Sequence, residues 1–233
     1  MTLPAPALSA SGARPKIKIC GLTTPEDAAL AVELGAEYLG LNFYPPSPRY
    51  VDAATARQIA DAVRGRAKLV GVFVNRPSDE IDAIVDEAGL DLVQFHGDET
   101  ADDIRPYAAR AIKVFRIAGD IDLHAFGKYG SEYHEMWGGL IDYRHPKLYG
   151  GSGESWNFAS LARLNELPET SRPRRLFIAG GLRPGNVRAA IQAAHPYGID
   201  LCSGVESTPG RKDPALLRQL FEEVEDDPQS QPA

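Results

Sequence analysis

The segment IDLCSGVE, residues 199–206, decides the fold, because its apolar start and its Ser-Gly end predict a short β-strand that stops at a turn before a helix. A second unit of this kind lies just upstream, where LFIAGGLRPGNV at residues 176–187 runs from an apolar strand into Gly180-Gly181. Two neighbouring strand-glycine-helix units can direct backbone N–H groups and helix N-termini at one anion. In an eightfold βα barrel, a phosphate site often lies in the loops after strands seven and eight. We therefore predict that these two units hold a substrate phosphate.

The rest of the chain supplies six more strand-helix units ahead of these two. The predicted strands span residues 16–20, 38–43, 69–74, 92–95, 111–117 and 139–142. Residues 118–138 mix Gly, Asp, His and Tyr without a clear period, so we expect the helix after the fifth strand to be poorly formed. Eight strands with helices between them predict a single parallel (β/α)8 TIM barrel. An open doubly wound sheet is the structural alternative, but no dinucleotide fingerprint follows the first strand.

Length and composition fit one catalytic domain. A chain of 233 residues suits one barrel, and we expect that barrel at residues 16–224, between a flexible N-terminal tail (1–15) and a flexible acidic C-terminal tail (225–233). A net charge of −7 argues against nucleic acid as a partner. No apolar run approaches the ~20 residues of a membrane span, so no membrane partner is expected. Two cysteines are too few for a disulfide framework and indicate a reducing, cytoplasmic location.

Three residues at or beyond the predicted carboxyl ends of strands can carry chemistry, because catalytic groups of this fold lie there. Cys20 precedes a glycine and a helix N-terminus, which favours a thiolate that acts as nucleophile or general base. Asp142 precedes a glycine-rich loop, and a carboxyl group partly shielded by such a loop can act as an acid. Arg49 follows the second strand in a proline-rich loop and can hold a carboxylate through two parallel hydrogen bonds.

Structural interpretations of the same residues stay open at this point. Cys20 can be a buried structural cysteine, and Asp142 can cap its strand or pair with Arg144. Arg49 can be an ordinary surface arginine. His96 can be a base or a ligand, but a hydrogen-bonded strand-end histidine is the more common case. The other histidines have no metal-ligand spacing.

Eight short motifs follow one another along the chain: KICGLT (18–23), NFYPPSPRYV (42–51), VGVFVN (70–75), VQFHGDE (93–99), LID (140–142), GGSG (150–153), AGGLRPGNV (179–187), and SGVE (203–206) with GRKD (210–213). In this order they resemble the phosphoribosylanthranilate isomerase family of tryptophan biosynthesis. The resemblance covers about residues 16–224, almost the whole chain.

The resemblance implies a cofactor-free Amadori rearrangement of N-(5-phosphoribosyl)anthranilate to 1-(2-carboxyphenylamino)-1-deoxyribulose 5-phosphate. Asp142 would be the general acid that opens the furanose ring to a Schiff base. Cys20 would be the general base that removes the C2 proton. Arg49 would hold the anthranilate carboxylate. The other implied substrate-binding residues are Phe43, His96, Gly151, Gly180, Gly181, Ser203 and Gly204. The expected partner is thus a phosphorylated small molecule, and the expected assembly is a monomer or a homodimer.

Two positions depart from the pattern of the family. Cys202 stands where the family usually has a serine, and Asn42 stands where an apolar residue is usual. We expect both changes to be tolerated. The side chain of Cys202 should point to the opposite side of its strand from Ser203, so we predict a structural role for it.

Other functions remain as alternatives. Another phosphosugar isomerase or epimerase can use the same barrel, although a metal-dependent one needs His and Asp ligands at strand ends and only His96 is so placed. The ring-closing synthase of the same pathway needs strand-end lysines and glutamates. A dual-substrate isomerase usually pairs two aspartates, and Cys20 stands where one of them would be. A non-catalytic phosphometabolite-binding protein would not need Cys20 and Asp142 together.

Overall fold

The computed structural model of the protein describes residues 14–118, 135–144, 158–166, 173 and 175–225. Its main feature is a closed barrel of eight parallel strands in sequence order, in which the first strand also pairs with the eighth. The predicted TIM barrel is therefore confirmed. The strands are β1 (Lys16–Cys20), β2 (Tyr38–Asn42), β3 (Lys68–Phe73), β4 (Leu92–Phe95), β5 (Ala111–Ala118), β6 (Gly138–Arg144), β7 (Leu176–Ala179) and β8 (Gly198–Leu201).

Helices follow the strands and cover the outside of the barrel. They are α1 (Pro25–Glu33), α2 (Ala53–Val63), α3 (Ser78–Ala88), α4 (Ala101–Ile104), α5 (Phe158–Ala162), α6 (Val187–Ala194) and α7 (Pro214–Glu225). Short 3-10 turns span Arg105–Arg110, Arg163–Glu166 and Ser203–Val205. After β8, an antiparallel hairpin of β9 (Glu206–Thr208) and β10 (Arg211–Lys212) precedes α7. The sequence did not predict this hairpin.

Helix boundaries follow local capping. Thr24 caps α1 by accepting a hydrogen bond from the N–H of Asp27 at 3.3 Å. Pro77 occupies the cap position of α3, so Ser78 lies in the first turn of that helix. The segment after β4 is α-helical only over α4. Pro106 lies in the 3-10 turn that follows, and proline supplies no N–H for further α-helical hydrogen bonds.

Side-chain alternation divides the core into two parts. The larger apolar cluster joins the outward faces of the strands to the helices. A smaller cluster fills the amino-terminal part of the barrel interior and includes Tyr38, Leu140 and Phe177. Nearer the carboxyl ends of the strands the interior becomes polar, and Lys18, Gln94 and Asp200 are all buried there. This polar layer forms the floor beneath the candidate site.

Some predicted features lie outside the described residues. These are residues 1–13 and 226–233 of the predicted tails, residues 119–134 of the irregular stretch, and the glycine-rich loop that contains Gly151. Helix α7 includes Glu225, one residue past the predicted end of the barrel domain. Within the described part of the chain, no helix has the length and apolar character needed to cross a membrane.

Candidate active site

Cys20 and Asp142 both face the open carboxyl-terminal mouth of the barrel. Each lies two residues after an interior side chain, Lys18 in β1 and Leu140 in β6, and alternate residues of a strand point to the same side. Both side chains are partly buried; that of Asp142 is 14% exposed. The fold thus brings to one mouth a thiol and a carboxyl group that are 122 positions apart in the sequence.

His96 lies next to the Asp142 carboxyl group. Its Nε2 lies 3.5 Å from Asp142 Oδ2, and its side chain is 27% exposed. Gln94, two residues earlier on the same inward face of β4, donates from its amide nitrogen to His96 Nδ1 at 3.1 Å. This hydrogen bond leaves the proton of a neutral imidazole on Nε2, which faces the carboxylate. His96 is therefore a partner of Asp142.

Cys20 lies in surroundings that favour its thiolate. A hydrogen bond from the Cys202 thiol lowers the pKa of Cys20 well below its usual value. Burial opposes this change, and the nearby ammonium groups of Lys18 and Lys212 assist it. The same hydrogen bond, together with burial, raises the pKa of Cys202. Of the two thiols, Cys20 is therefore the one whose surroundings favour the thiolate.

A buried ion pair lies directly beneath the thiolate. Lys18 Nζ is 2.9 Å from Asp200 Oδ1, and the two side chains are 0% and 8% exposed. Burial raises the pKa of Asp200 to about 6, although Lys18 opposes this rise. Burial alone would lower the pKa of Lys18, but its attraction to Asp200 and to Cys20 outweighs burial and raises it. Lys18 thus stays charged and stabilises both anions.

Arg49 is held at the mouth by a forked pair with Glu206 at the start of the hairpin. Arg49 Nε lies 2.9 Å from Glu206 Oε1, and Arg49 Nη2 lies 2.6 Å from Glu206 Oε2. Burial tends to raise the pKa of Glu206, but hydrogen bonds from Arg49 and Lys212 hold it below its usual value. This orientation places the Arg49 side chain against Gly21, where a Cβ atom would lie 2.5 Å from Arg49 Cδ.

Lys212 connects the β9–β10 hairpin to the barrel through hydrogen bonds. It is 4% exposed and donates from Nζ to Cys20 O at 2.6 Å, to Cys202 O at 3.3 Å and to Glu206 Oε1 at 2.9 Å. Its backbone N–H donates to Asp27 Oδ2 at 2.9 Å. One buried ammonium group therefore joins the ends of β1 and β8 to the hairpin.

Four charged residues of the site were not predicted from the sequence: Lys18, Asp200, Glu206 and Lys212. Lys18 and Asp200 could have been found from the sequence. They lie two positions before Cys20 and Cys202, so their side chains point to the same side of the strand as those cysteines. Glu206 and Lys212 come together only through the hairpin, which the sequence did not predict.

The two glycine turns at the ends of β7 and β8 are in close contact. Gly180 and Gly181 have φ angles of 93° and 66°, in the left-handed region that glycine adopts without strain. A Cβ atom on Gly204 would lie 1.9 Å from the carbonyl oxygen of Leu182, so the second turn packs directly on the first. Among the described residues, none accepts a hydrogen bond from the backbone N–H of Gly181, Ser203 or Gly204. These donors are available to an anion.

Phe43 was expected to contact the substrate, but its side chain does not lie in the mouth of the barrel. It follows Leu39 and Leu41 on the outward face of β2, is 2% exposed, and stacks on Phe73 with ring centroids 5.2 Å apart. Its ring therefore packs beneath the helices and not in the mouth of the barrel. Asn42 holds the following loop instead, since its side chain accepts a hydrogen bond from Tyr44 N at 2.9 Å and donates to Ser47 Oγ at 3.2 Å.

The described residues include no group of three or more His, Cys, Asp or Glu side chains arranged to hold a metal ion. What they offer is a thiolate, a carboxyl group with a histidine neighbour, an oriented arginine and an anion site. This set suits proton transfer on a small anionic ligand that carries a phosphate group.

Comparison with known proteins identifies the family of this chain. The family model described as "N-(5'phosphoribosyl)anthranilate (PRA) isomerase" matches residues 17–223. The N-(5'-phosphoribosyl)anthranilate isomerase of Trichlorobacter lovleyi is 41% identical over 206 residues, which are 88% of this chain and 96% of that protein.

Solved structures agree. The phosphoribosyl anthranilate isomerase of Thermotoga maritima has a TM-score of 0.78 and 34% identity, covering 91% of this chain and 98% of that one, and a second structure describes the Thermotoga enzyme as dimeric. A phosphoribosyl anthranilate isomerase in complex with reduced 1-(o-carboxyphenylamino)-1-deoxyribulose 5-phosphate has a TM-score of 0.75 and 30% identity, with 91% and 98% coverage.

Proposed function

Because the chain belongs to the N-(5'-phosphoribosyl)anthranilate isomerase family, we propose that Asp142 and Cys20 are the general acid and general base of its reaction. Family membership makes the protein an isomerase of tryptophan biosynthesis. Its reaction is the Amadori rearrangement of N-(5-phosphoribosyl)anthranilate to 1-(2-carboxyphenylamino)-1-deoxyribulose 5-phosphate, and we propose that it needs no cofactor.

The strongest support for the base is the lowered pKa of Cys20. A general base must be deprotonated before it meets the substrate, and an ordinary thiol is mostly protonated at neutral pH. The Cys202 thiol and the ammonium groups of Lys18 and Lys212 lower the pKa of Cys20, which favours the thiolate. Cys20 also ends its strand at the mouth of the barrel, where the substrate of a TIM-barrel enzyme binds.

In the first step the Asp142 carboxyl group donates its proton to the ring oxygen of the ribose. The C1–O bond breaks, and the nitrogen lone pair forms the C=N bond of a protonated Schiff base. In the second step the Cys20 thiolate removes the proton from C2, and the electron pair moves toward nitrogen to give an enol. Transfer of the enol proton to C1 yields the ketone product.

His96 supports the role of Asp142 through its position. Its Nε2, 3.5 Å from the carboxylate, can stabilise the negative charge that appears when Asp142 gives up its proton. His96 also lies close enough to Asp200 to lower the pKa of that carboxyl group. These interactions connect the β4, β6 and β8 sides of the mouth.

Arg49 is proposed to bind the anthranilate carboxylate. A guanidinium group has five N–H donors, and the bonds to Glu206 use Nε and Nη2. The donors on Nη1 then serve the ligand, and Glu206 fixes the orientation of the group. Phe43 is left out of the proposed contacts, because its ring is packed in the core.

The substrate phosphate is proposed to lie between the turns at Gly180-Gly181 and Ser203-Gly204. The support is the available N–H groups of these turns and their direct packing, which makes one anion site of two loops. Gly151 lies outside the described residues, so its proposed contact with substrate rests on the family resemblance.

We also propose a cytoplasmic location, because Cys20 and Cys202 are both free thiols. Monomer or homodimer remains the predicted assembly.

The assay follows the fluorescence of phosphoribosylanthranilate, which the purified protein should consume in the presence of EDTA. Cys20→Ala and Asp142→Asn should each lower kcat by about 10²–10⁴-fold, the usual contribution of a positioned acid or base. Asp61→Asn is a matched control, because Asp61 lies on α2 with its side chain 68% exposed. Unchanged circular dichroism spectra must accompany the loss.

Near-normal turnover in either active-site variant would remove that residue from the mechanism. Unchanged fluorescence at high enzyme concentration would reject the activity itself and favour a binding protein. Loss of activity on EDTA treatment would reject the cofactor-free mechanism.

A further inference from the structure

Cys20 and Cys202 occupy neighbouring places on two adjacent strands. The register of β1 and β8 pairs Lys18 with Asp200 and Ile19 with Leu201, so the next step along both strands pairs the two cysteines. The Lys18 and Asp200 side chains meet inside the barrel at 2.9 Å. Because alternate residues of a strand point to the same side, both thiols follow these two side chains inward.

The strand geometry fits a disulfide. Neighbouring strands are about 4.7–4.9 Å apart, and the Cα atoms of disulfide-bonded cysteines are usually about 4.4–6.8 Å apart. A hydrogen bond between the two thiols shifts their pKa values in opposite directions, so the side chains are near each other, and Cys202 Sγ also lies 3.8 Å from Glu206 Oε1. Both cysteines are free and partly exposed.

Two glycines leave room for the sulfur atoms. A Cβ atom on Gly21 would lie 2.9 Å from Cys202 Sγ, and one on Gly40 would lie 2.7 Å from Cys20 Sγ. Both distances are too short for real Cβ atoms. The site is therefore built to hold two thiols side by side, next to solvent at the mouth.

We propose that Cys20 and Cys202 form a reversible oxidation site, in which hydrogen peroxide converts the two thiols to a disulfide and stops the isomerase. The loss of activity rests on the proposed role of Cys20 as general base. The formation of the disulfide does not depend on that role.

The chemistry proceeds in two steps that balance. The Cys20 thiolate attacks one peroxide oxygen, the S–O bond forms, and the O–O bond breaks with loss of hydroxide, which gives a sulfenic acid. The Cys202 sulfur then attacks the Cys20 sulfur, the S–S bond forms, and the S–O bond breaks. Hydroxide leaves and takes up the Cys202 proton as water. The hydroxide of the first step takes up a proton from the solvent. In total the two cysteines lose two electrons and one peroxide is reduced to two waters.

The order of the two cysteines follows from their surroundings. The pKa of Cys20 is lowered, first by the hydrogen bond from Cys202, and that of Cys202 is raised by the same bond and by burial. Only a thiolate attacks peroxide efficiently, so Cys20 reacts first and Cys202 resolves the sulfenic acid. In the disulfide, the Cys20 sulfur can no longer accept the C2 proton.

The experiment treats the reduced full chain with hydrogen peroxide and follows isomerase activity and thiol content together. Thiols are counted by alkylation of the denatured protein and intact mass, which is unambiguous because the chain has two cysteines. The expected result is parallel loss of activity and of both thiols, a mass lower by two hydrogen atoms, a monomeric band on a non-reducing gel, and full recovery with dithiothreitol.

Cys202→Ser is the matched variant, because its hydroxyl can still donate a hydrogen bond but cannot form a disulfide. Its activity is compared with its own value before oxidation. Cys20 should pass to the sulfinic acid on prolonged exposure, so dithiothreitol should not restore activity. A wild-type protein that also accumulates sulfinic acid, or one whose disulfide is only between chains, would overturn the proposal.

The remaining outcome separates this proposal from the proposed function. An internal disulfide that forms while activity persists would refute the inactivation and would also count against Cys20 as the base. Cys20→Ala reports on the base role independently of any oxidation.

Discussion

Lys18→Met tests whether the buried ion pair beneath the site stabilises the folded protein and the thiolate. Lys18 is 0% exposed and pairs with Asp200 at 2.9 Å. Methionine keeps the unbranched shape and removes the charge. The variant therefore leaves a carboxyl group buried without its cation.

The magnitude follows from the distance and the burial. At 2.9 Å the attraction of two unit charges is about 6 kcal/mol with an effective dielectric constant of about 20. Desolvation of both ions offsets much of this gain, and removal of one partner of a buried pair typically costs about 3–5 kcal/mol. We expect the free energy of unfolding to fall by about 3 kcal/mol or more at pH 8.

The loss should depend on pH in a defined direction. Burial raises the pKa of Asp200 to about 6, and without Lys18 it should rise further. A raised carboxyl pKa makes the folded state less stable as pH rises from the unfolded value of about 4 to the folded value. Below about pH 6 the unfolding free energies of wild type and Lys18→Met change with pH in the same way. Above about pH 6 only the variant continues to lose stability, so the difference between the two grows by up to about 1.4 kcal/mol per pH unit. Lys18 adds no pH dependence of its own between pH 5 and 8, because its pKa is raised above its usual value.

The assay is urea unfolding of wild type and variant at pH 5 and at pH 8, followed by circular dichroism. The double variant Lys18→Met/Asp200→Leu is the control, because an apolar pair in place of a buried ion pair is often neutral or stabilising. It should recover most of the stability at pH 8. Cys20 and His96 also interact with Asp200, so their titration is followed in the same samples. A deficit below about 1 kcal/mol at pH 8, or one that does not change with pH, would refute the reasoning.

Two further predictions concern substrate binding. Arg49→Lys should raise KM by about 10–100-fold with a smaller change in kcat. The reason is that a single ammonium group replaces the guanidinium group oriented by Glu206, and a charged hydrogen bond contributes about 1.5–3 kcal/mol. An unaltered KM would exclude the carboxylate contact. Gly204→Ala should raise KM and lower the unfolding midpoint, because its Cβ would lie 1.9 Å from Leu182 O and must push the two phosphate turns apart. Gly65→Ala is the control for KM, since no atom lies within 4 Å of the Cβ added there. Equal KM in the two glycine variants would contradict the proposed phosphate site.

Much of the site could be predicted because barrel strands display their ends at one mouth. Cys20, Asp142, His96 and the two glycine turns were chosen from the predicted strand ends, and all of them lie at or near the carboxyl ends of their strands, with β6 continuing two residues past Asp142. The position of the Phe43 ring could not be predicted from the strand end alone, because side-chain alternation along β2 turns it outward into the core. Cys202 was expected only to point to the opposite side of its strand from Ser203 and to have a structural role, and its neighbour across β1 and β8 was not considered.

The sequence by itself determined the barrel, since local alternation of apolar strands and amphipathic helices repeats along the chain and needs no distant contact to be recognised. It also determined the family, through short motifs in a fixed order. Only the tertiary structure decided which charges meet. Lys18 joins Asp200 across 182 positions, and Arg49 joins Glu206 across 157. The physical reason is that the charge state of a buried group depends on the neighbours that barrel closure and the hairpin bring to it, and those neighbours are distant in the sequence.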